Sequence, residues 1–154
     1  MSKLEEGKMY RFFVDKILTL PDDNYFLLID EWNKKHLLPQ KYYTNYSIKI
    51  GTHINCHVNK INCNGKIFLE PEHPIYKMGD IDNFIITKLE ERVKKKSGEI
   101  YYVALAQNRK TSKAAVINYT DFQYTMPFNA KCEVIKIKKA EVLLRFIEEI
   151  KEPF

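Results

Sequence analysis

The sequence predicts an all-β protein made of two tandem five-stranded units. Three observations lead to this fold class: short segments in which apolar and polar residues alternate, an Asn-Gly turn between two of them, and an internal repeat. The chain has 154 residues, of which 45% are hydrophobic and 29% are charged. It is therefore too apolar for a disordered chain and long enough for one large core or two small ones.

The clearest strand pair flanks Asn64-Gly65. An Asn-Gly pair between alternating segments favours a tight hairpin, because both residues accept the positive φ that such a turn demands. Residues 52–61 and 66–70 are therefore predicted to be antiparallel neighbours. Alternation places one apolar set on the face that is buried. The predicted inward residues are Ile54, Cys56, Val58, Ile67 and Leu69.

Three further strands precede this hairpin. They are predicted to cover residues 8–18, 25–31 and 35–39, because each segment is rich in apolar and aromatic residues and is bounded by turn residues. The irregular stretch "YYTNYSI" separates the third strand from the hairpin. The first unit is thus predicted to contain five strands with a break between the third and the fourth.

The same order recurs in the second half of the chain. Residues 45–61 align without a gap with residues 121–137, and "GKMYRFFVDKI" has a looser counterpart in "GDIDNFIITKL". The aligned pairs include Phe12 with Phe84, Cys56 with Cys132, and Val58 with Val134. We therefore expect two domains, residues 1–76 and residues 77–154, joined through the proline-containing segment "PEHPIYKMGD".

The second unit follows the same strand pattern. Its predicted strands cover residues 80–92, 99–106, 113–118, 129–138 and 141–147. Five short antiparallel strands with a break after the third match a small Greek-key barrel, the OB-fold, better than a sandwich. The C-terminal stretch leaves an alternative open, because its apolar residues also fit a helical stripe and allow a short helix after the last strand. Those residues are Leu143, Phe146, Ile147 and Ile150.

The charge of the chain is mildly basic and unevenly distributed. The net charge is +5, and the sequence pI is near 9.0, which favours anionic partners. Residues 77–154 hold 15 Lys and Arg against 11 Asp and Glu, whereas residues 1–76 hold 10 against 9. The second unit therefore carries most of the basic character.

The number of cysteines and the hydropathy of the sequence indicate which cellular compartment to expect. The three cysteines are an odd number without a CxxC pair, which suits a reducing environment. The sequence has no run near 18 apolar residues, and "MSKLEEGKMY" lacks the apolar stretch of a secretory signal. We expect a cytoplasmic protein with no membrane partner.

The string "HLLPQK…IKIGTHINCHVNKINCNGKIFLEP" resembles the RNA-binding OB-fold domain that is repeated in ribosomal protein S-one. The family pattern has a Gly-Leu-Leu-Pro-like third strand, a Val-Gly before strand four and a Gly-Arg-Ile-x-Leu ending. The matching residues are Leu37, Leu38, Pro39, Ile50, Gly51, Val58, Gly65, Lys66, Ile67 and Leu69. The resemblance covers most of residues 7–71 and reaches residues 79–147 only through the repeat, where Pro127 replaces the glycine. It implies RNA binding, although family members often stack a base on an aromatic near the position of Leu37.

The candidate binding residues are those that could contact a nucleic-acid strand. A single-strand binder needs cations along the backbone and aromatic faces for the bases. The candidates in the first unit are Tyr25, Phe26, Lys34, Lys35, His36 and Lys66. The candidates in the second unit are Lys94, Lys95, Lys96, Tyr101, Tyr102, Arg109, Lys110 and Lys113. Periodicity leaves open which of Tyr25 and Phe26 is in the core, and "RVKKKSGE" also reads as an ordinary solvated loop.

The leading hypothesis for function is non-enzymatic binding of single-stranded nucleic acid through tandem OB-folds, with RNA favoured over DNA. The alternative is a protein–protein interaction or scaffold module that uses the same barrels. The sequence has no phosphate-binding glycine loop, nucleophile elbow or HExxH motif, so we expect no enzyme and no cofactor. Four zinc-type ligands lie close in sequence, but alternation turns Cys56 away from His53 and His57, so we expect no metal site.

Overall fold

The computed structural model describes residues 3–120 and 124–151. These residues form ten β-strands and no helix, which confirms the predicted all-β class. The chain divides into two compact units, Met1–Pro74 and Ile75–Phe154. The division lies two residues before the one expected from the sequence, because Tyr76 packs in the core of the second unit, with its ring 5.8 Å from that of Phe84.

The first unit is one five-stranded antiparallel sheet. Its strands pair in the order β3-β2-β1-β4-β5, so that the fourth strand returns to lie beside the first. This is the Greek-key arrangement. The strands are β1 (Met9–Thr19), β2 (Asn24–Ile29), β3 (Lys35–Pro39), β4 (His53–Ile61) and β5 (Ile67–Pro71).

The β4–β5 hairpin forms at the predicted place with a longer turn than predicted. Only Gly65 of the Asn-Gly pair has a positive φ, of 84°. The Gly65 N–H donates to the carbonyl of Asn62 at 2.9 Å, and the Asn62 N–H donates to the carbonyl of Lys66 at 2.8 Å. Glycine therefore takes the one position of this four-residue turn that needs a positive φ, and Asn64 instead accepts the Lys66 N–H through its side chain.

Alternating residues of the five strands make the core of the first unit. Fully buried side chains come from β1, β2, β3 and β4 and include Phe12, Leu28, Leu38, Cys56 and Val58. The irregular β3–β4 connection packs onto this unit through tyrosines. Tyr43 is buried and donates a 3.0 Å hydrogen bond to the buried carboxylate of Glu70. This hydroxyl donor offsets part of the cost of burying the carboxylate.

The second unit has the same strand order, with one more pairing. Its strands are β6 (Ile81–Val93), β7 (Ile100–Gln107), β8 (Ala114–Val116), β9 (Phe128–Lys138) and β10 (Glu141–Ile150). Strand β10 pairs antiparallel with β9 and parallel with β8. The five strands therefore form a closed ring in the order β10-β8-β7-β6-β9. Pairing on both sides leaves no free strand edge in this ring.

The two units are built alike in detail. The Gly7 N–H donates to the carbonyl of Val58 at 2.8 Å, and the Gly79 N–H donates to the carbonyl of Val134 at 2.7 Å. The aligned pairs Phe12 and Phe84, and Cys56 and Cys132, are all fully buried. The structure therefore places these matched residues at equivalent positions of the two sheets. Residues 121–123 of the alignment lie outside the described residues.

The C-terminal stretch is a strand through Ile150, so the short helix does not form in the part of the chain that the structure describes. Lys139 and Ala140 take positive φ values of 51° and 65° and make a two-residue turn between β9 and β10. Turns with two positive φ values match the twist of hairpin strands. Pairing with two neighbours outweighs the helical preference of this sequence.

The buried cysteine of β4 allows a test of this packing. We expect Cys56→Asp to destabilise the first unit by at least about 3 kcal/mol, because it places an unpaired charge in the core. The native thiol already shows how unfavourable a charge is there: burial, and then the negative charge of Glu70, raise the pKa of Cys56. Thermal unfolding of the full chain, followed by circular dichroism, measures the loss.

The matched control is Cys63→Asp, since Cys63 is free and exposed in the β4–β5 turn. Its melting transition should stay close to that of the wild type. Equal melting temperatures for the two aspartate variants would show that Cys56 is not in a packed core.

Candidate nucleic-acid interface

Strands β6 and β7 form a long hairpin in the second unit. Strand pairing continues out to Val93 and Ile100, and the turn that follows is held by the Lys94 N–H, which donates to the carbonyl of Glu99 at 2.8 Å. Gly98 takes a positive φ of 70° in this turn. We call residues 88–102, the outer part of this hairpin, the β6–β7 arm.

Three of the lysines predicted to bind nucleic acid lie at the tip of the arm. Lys94, Lys95 and Lys96 are all exposed. The Lys94 ammonium lies 3.6 Å from the carboxylate of Glu99, and an exposed pair of this kind contributes little to stability. Within the described residues, Lys95 and Lys96 form no ion pair. The tip therefore presents cations that are available to an anionic partner.

The two predicted tyrosines lie on opposite faces of the arm. Tyr102 pairs with Glu91 and Tyr101 pairs with Arg92, and successive strand residues point to opposite sides. Tyr102 is 54% exposed and Tyr101 is 37% exposed. They therefore do not form one stacking platform, and Tyr102 is the more accessible ring.

Tyr102 shares its face with an apolar group. The strand register places Leu89, Val93 and Ile100 on the same side of the arm. All three are exposed, Val93 by 58% and Ile100 by 54%. This face of the arm therefore carries apolar side chains and one aromatic ring, with the exposed carboxylate of Glu91 directly opposite Tyr102. It ends at the three lysines of the tip.

Arg92 holds the arm to the rest of the unit. Its guanidinium donates to both carboxylate oxygens of Glu141, at 2.6 and 2.7 Å, and its Nε donates to Glu90 at 2.8 Å. These bonds, with that to Glu141 the strongest, outweigh burial and raise the pKa of Arg92. Strands β6 and β10 are not neighbours in the ring, so this bidentate pair connects the arm to the start of β10. The Arg92 guanidinium is thus paired with the carboxylates of Glu90 and Glu141.

The β7–β8 turn contains the other predicted basic residues. The Lys110 ammonium donates to Asp82 at 2.9 Å and lies 5.8 Å from the centre of the Tyr76 ring. The Lys113 ammonium donates to the carbonyl of Lys139 at 2.8 Å. Arg109 is exposed and has no ion pair in the described part of the chain. Of these three residues, Lys110 and Lys113 stabilise the unit itself.

Lys110 belongs to a polar group at the start of the second unit. The Tyr76 hydroxyl donates to Asp82 at 2.7 Å and accepts from the Asn108 amide at 2.8 Å. Burial raises the pKa of Tyr76 to about 12. Burial would also raise the pKa of Asp82, but the Lys110 ammonium and the Tyr76 hydroxyl more than offset it, so that the net direction is downward. The carboxylate is therefore charged and paired at neutral pH.

The two aromatic candidates of the first unit differ in exposure. Phe26 is buried in the core, with 4% of its surface exposed. Tyr25 is half-buried, and its hydroxyl donates to Asp22 at 2.5 Å. Leu37, the residue at the family's aromatic position, is exposed by 41% but has no π-face. The register of β2 and β3 places Tyr25 and Leu37 on the same face of the sheet, which therefore presents one aromatic and one aliphatic side chain.

Of the polar candidates of the first unit, some are bound to other residues of the unit and some are exposed. His36 is a structural residue: its Nε2 lies 2.9 Å from Asp30, and its ring packs edge-on against Phe12 at 5.7 Å. The Lys66 ammonium lies 5.0 Å from the centre of the Phe68 ring. Lys34 and Lys35 are exposed and have no ion pair with any described residue. Both are therefore accessible to an anionic ligand.

The described residues contain no cluster of side chains that could bind a metal ion. Across residues 3–120 and 124–151, no cluster of three or more His, Cys, Asp or Glu side chains could hold a metal ion. Cys56 is buried, whereas His53 is exposed and packs on Phe13 at a ring distance of 5.2 Å. These side chains do not converge.

No family model matches the chain, and no curated protein matches it. In the part of the chain that the structure describes, no helix has the length and apolar character needed to cross a membrane. The interpretation of function therefore depends on the residues of this chain and their geometry.

Asp30 allows a test of the structural role of His36. Its carboxylate is buried and accepts the N–H groups of Trp32 and Lys34, each at 2.9 Å. Burial would raise the pKa of Asp30, but the bonds from His36 and these two N–H groups outweigh it and hold the pKa below its ordinary 3.8. The stability that Asp30 contributes is therefore present above about pH 4 and is lost as the pH falls through the lowered pKa.

We expect Asp30→Asn to cost about 1–3 kcal/mol at neutral pH and to flatten the loss of stability below about pH 4. Melting temperatures of both proteins between pH 7 and pH 2 measure the difference. Glu31→Gln, at the exposed neighbouring position, should follow the wild-type curve. Parallel curves for the wild type and Asp30→Asn would contradict the assigned role.

Proposed function

We propose that the chain binds single-stranded nucleic acid, with RNA favoured over DNA, through two OB-fold units and without catalysing a reaction. The strand order supports the fold assignment, because each unit has five strands in Greek-key order and the second closes into a ring. OB-folds bind oligonucleotides on the face of strands two and three and with the loops that follow strands one and four. The β6–β7 arm is the first of those loops in the second unit.

The observation that carries the proposal is the composition of this arm. Its tip presents Lys95 and Lys96 without ion pairs among the described residues, and the exposed ring of Tyr102 lies farther back on the same arm, opposite Glu91. Cations bind the phosphate backbone of any sequence, and an aromatic face stacks on any base. The two features together are the minimum that a sequence-tolerant single-strand binder needs.

The arm suits a single strand better than a duplex. Stacking on Tyr102 requires a base that is not enclosed in a helix, and unpaired bases are splayed out only in single strands, loops and ends. Leu89, Val93 and Ile100 extend the apolar surface on which the base would rest. In this arrangement the backbone of the strand runs along the lysine tip.

The preference for RNA is supported by the resemblance of residues 7–71 to the ribosomal protein S-one domain. A protein distinguishes RNA from DNA through contacts to the 2′-hydroxyl. The free thiols of the chain fit the expected cytoplasmic setting.

Removal of the tip cations should reduce the salt dependence of binding. For single strands the slope of log K against log salt changes by about 0.7 for each phosphate contact. Lys94→Ala/Lys95→Ala/Lys96→Ala should therefore lower the slope for poly(U) by about 2 and weaken binding at low salt. Fluorescence anisotropy at a series of salt concentrations measures both.

The matched control is Lys34→Ala/Lys35→Ala, which removes two exposed cations from the first unit. We expect its slope to change less than that of the tip variant. A larger loss in the control, or a tip variant with wild-type slope, would place the interface elsewhere.

Tyr102 should contribute by stacking. Tyr102→Ala is expected to weaken binding of a U-rich oligonucleotide by about 1–3 kcal/mol, whereas Tyr102→Phe, which keeps the ring, should bind almost as the wild type does. Tyr101→Ala is the control on the opposite face of the arm and should have the smaller effect. Equal losses for Tyr102→Ala and Tyr102→Phe would argue against stacking.

A second candidate function is binding of another protein by the same arm. It is favoured by the exposed aliphatic residues Val93 and Ile100, since contiguous exposed apolar surface marks interaction sites. Retention on immobilised heparin or poly(U) that weakens with salt supports the nucleic-acid function. Failure of both matrices to retain the chain at low salt would make the protein partner the better account.

A further inference from the structure

The first unit contains a cleft of about 350 Å³ that none of the predicted binding residues lines. Its volume falls in the range of small-ligand sites, which is about 300–1,000 Å³. We call it the Arg11 cleft. The residues that matter for its chemistry are Arg11, Tyr46, Ile48, His53, Asn55 and Glu72.

Three polar side chains of the cleft stand in one row across the sheet. Arg11 on β1 is the direct partner of Asn55 on β4. Glu72, just after β5, donates its N–H to the carbonyl of Asn55 at 2.9 Å. Neighbouring strands lie about 4.8 Å apart, so the backbones of Arg11 and Glu72 are separated by about 10 Å.

The two charges at the ends of this row are available to a ligand. Arg11 and Glu72 are exposed, and neither forms an ion pair with a described residue. Arg11 can only donate hydrogen bonds, an ionised Glu72 can only accept them, and the Asn55 amide between them can do both. The row therefore fits a planar group with acceptors on one side and donors on the other.

The other walls of the cleft fit a flat ring. His53 lies two residues before Asn55 on the same face of β4, and its ring packs at 5.2 Å from Phe13, so an exposed imidazole is held in place beside the row. Ile48 supplies an apolar wall. The hydroxyl of Tyr46, also in the lining, is buried and has no hydrogen-bond partner among the described residues. Histidine is one of the side chains on which unpaired bases stack.

We propose that the Arg11 cleft binds an unstacked guanine base of a single strand. Guanine presents the O6 and N7 acceptors, which an arginine contacts with two hydrogen bonds. It also presents the N1–H and N2–H₂ donors, which match the two oxygens of a carboxylate. Arg11 takes the first pair, Glu72 takes the second, and the ring lies against His53.

The other bases match the row less well. Adenine, cytosine and uracil do not present two adjacent acceptors together with two adjacent donors. Each would leave Arg11 or Glu72 with an unused hydrogen-bonding atom. A good bidentate contact discriminates by about 5- to 150-fold, so guanine should be preferred by a factor in this range. The inference rests on the proposed function, because it treats the base as part of a bound strand.

Mononucleotides test the cleft separately from the arm. The full chain, labelled with ¹⁵N, is titrated with GMP, IMP, AMP, CMP and UMP and followed by NMR. All five carry the same phosphate, so differences in Kd report the base. GMP should bind at least about 5-fold more tightly than AMP, CMP and UMP, and should shift the amide signals of Arg11, Asn55 and Glu72. IMP, which lacks the 2-amino group, should bind more weakly than GMP.

Two variants test the assigned contacts. Glu72→Ala should remove the difference between GMP and IMP. Arg11→Ala should weaken GMP binding but keep that difference, because Glu72 still accepts the N1–H and N2–H₂ donors. Lys49→Ala, an exposed cation outside the cleft, is the control and should leave all five affinities unchanged. Unchanged dispersion of the remaining NMR signals shows that each variant is folded.

Equal affinity for the five nucleotides, or a preference for GMP over IMP that survives in Glu72→Ala, would overturn the proposal. The lysine-tip variant of the arm should keep the GMP preference. If the GMP preference is absent while poly(U) binding still depends on the arm, the cleft proposal fails alone. If the preference is present while poly(U) does not bind, the cleft stands and the proposed function of the arm fails.

Discussion

Each unit depends on one long strand that pairs with two neighbours at once. β1 pairs with β4 through its first half and with β2 through its second, and β6 does the same with β9 and β7. A bulge interrupts the pairing after Val14 in β1 and after Ile86 in β6, which are equivalent positions of the repeat. Bulges increase the local twist of a strand. This twist lets one strand serve two parts of a sheet that wraps around buried Phe12 or Phe84.

The same constraint produces the surfaces that we assign to function. Because β6 continues past the ring to Val93, its hairpin with β7 carries Tyr102 and the lysine tip away from the core. The bidentate pair of Arg92 with Glu141 then holds this extension at a defined place. In the first unit, the pairing of β1 with β4 sets Arg11 beside Asn55 and so creates one wall of the cleft.

Local patterns in the sequence were sufficient for most of the fold. Alternation and turn residues predicted all ten strands, and the repeat alignment predicted that Cys56 and Cys132 occupy equivalent buried positions. Hydrogen bonds and ion pairs between residues that are distant in sequence leave no comparable local pattern in the sequence. The sequence therefore did not reveal that Lys110 is bound to Asp82, or that Arg11, Asn55 and Glu72 form a row. The burial of Phe26 could not be predicted, because its neighbours Tyr25, Leu27 and Leu28 are also apolar or aromatic and the strand shows no alternation.

The central claim is that the β6–β7 arm is where a single strand binds, and NMR mapping tests it most directly. A U-rich RNA oligonucleotide is added to the ¹⁵N-labelled full chain, and the amide shifts are assigned. The account predicts the largest changes at Lys95, Lys96 and Tyr102, with reversal when salt is added. Changes confined to the β7–β8 turn or to the first unit, or none at low salt, would contradict it.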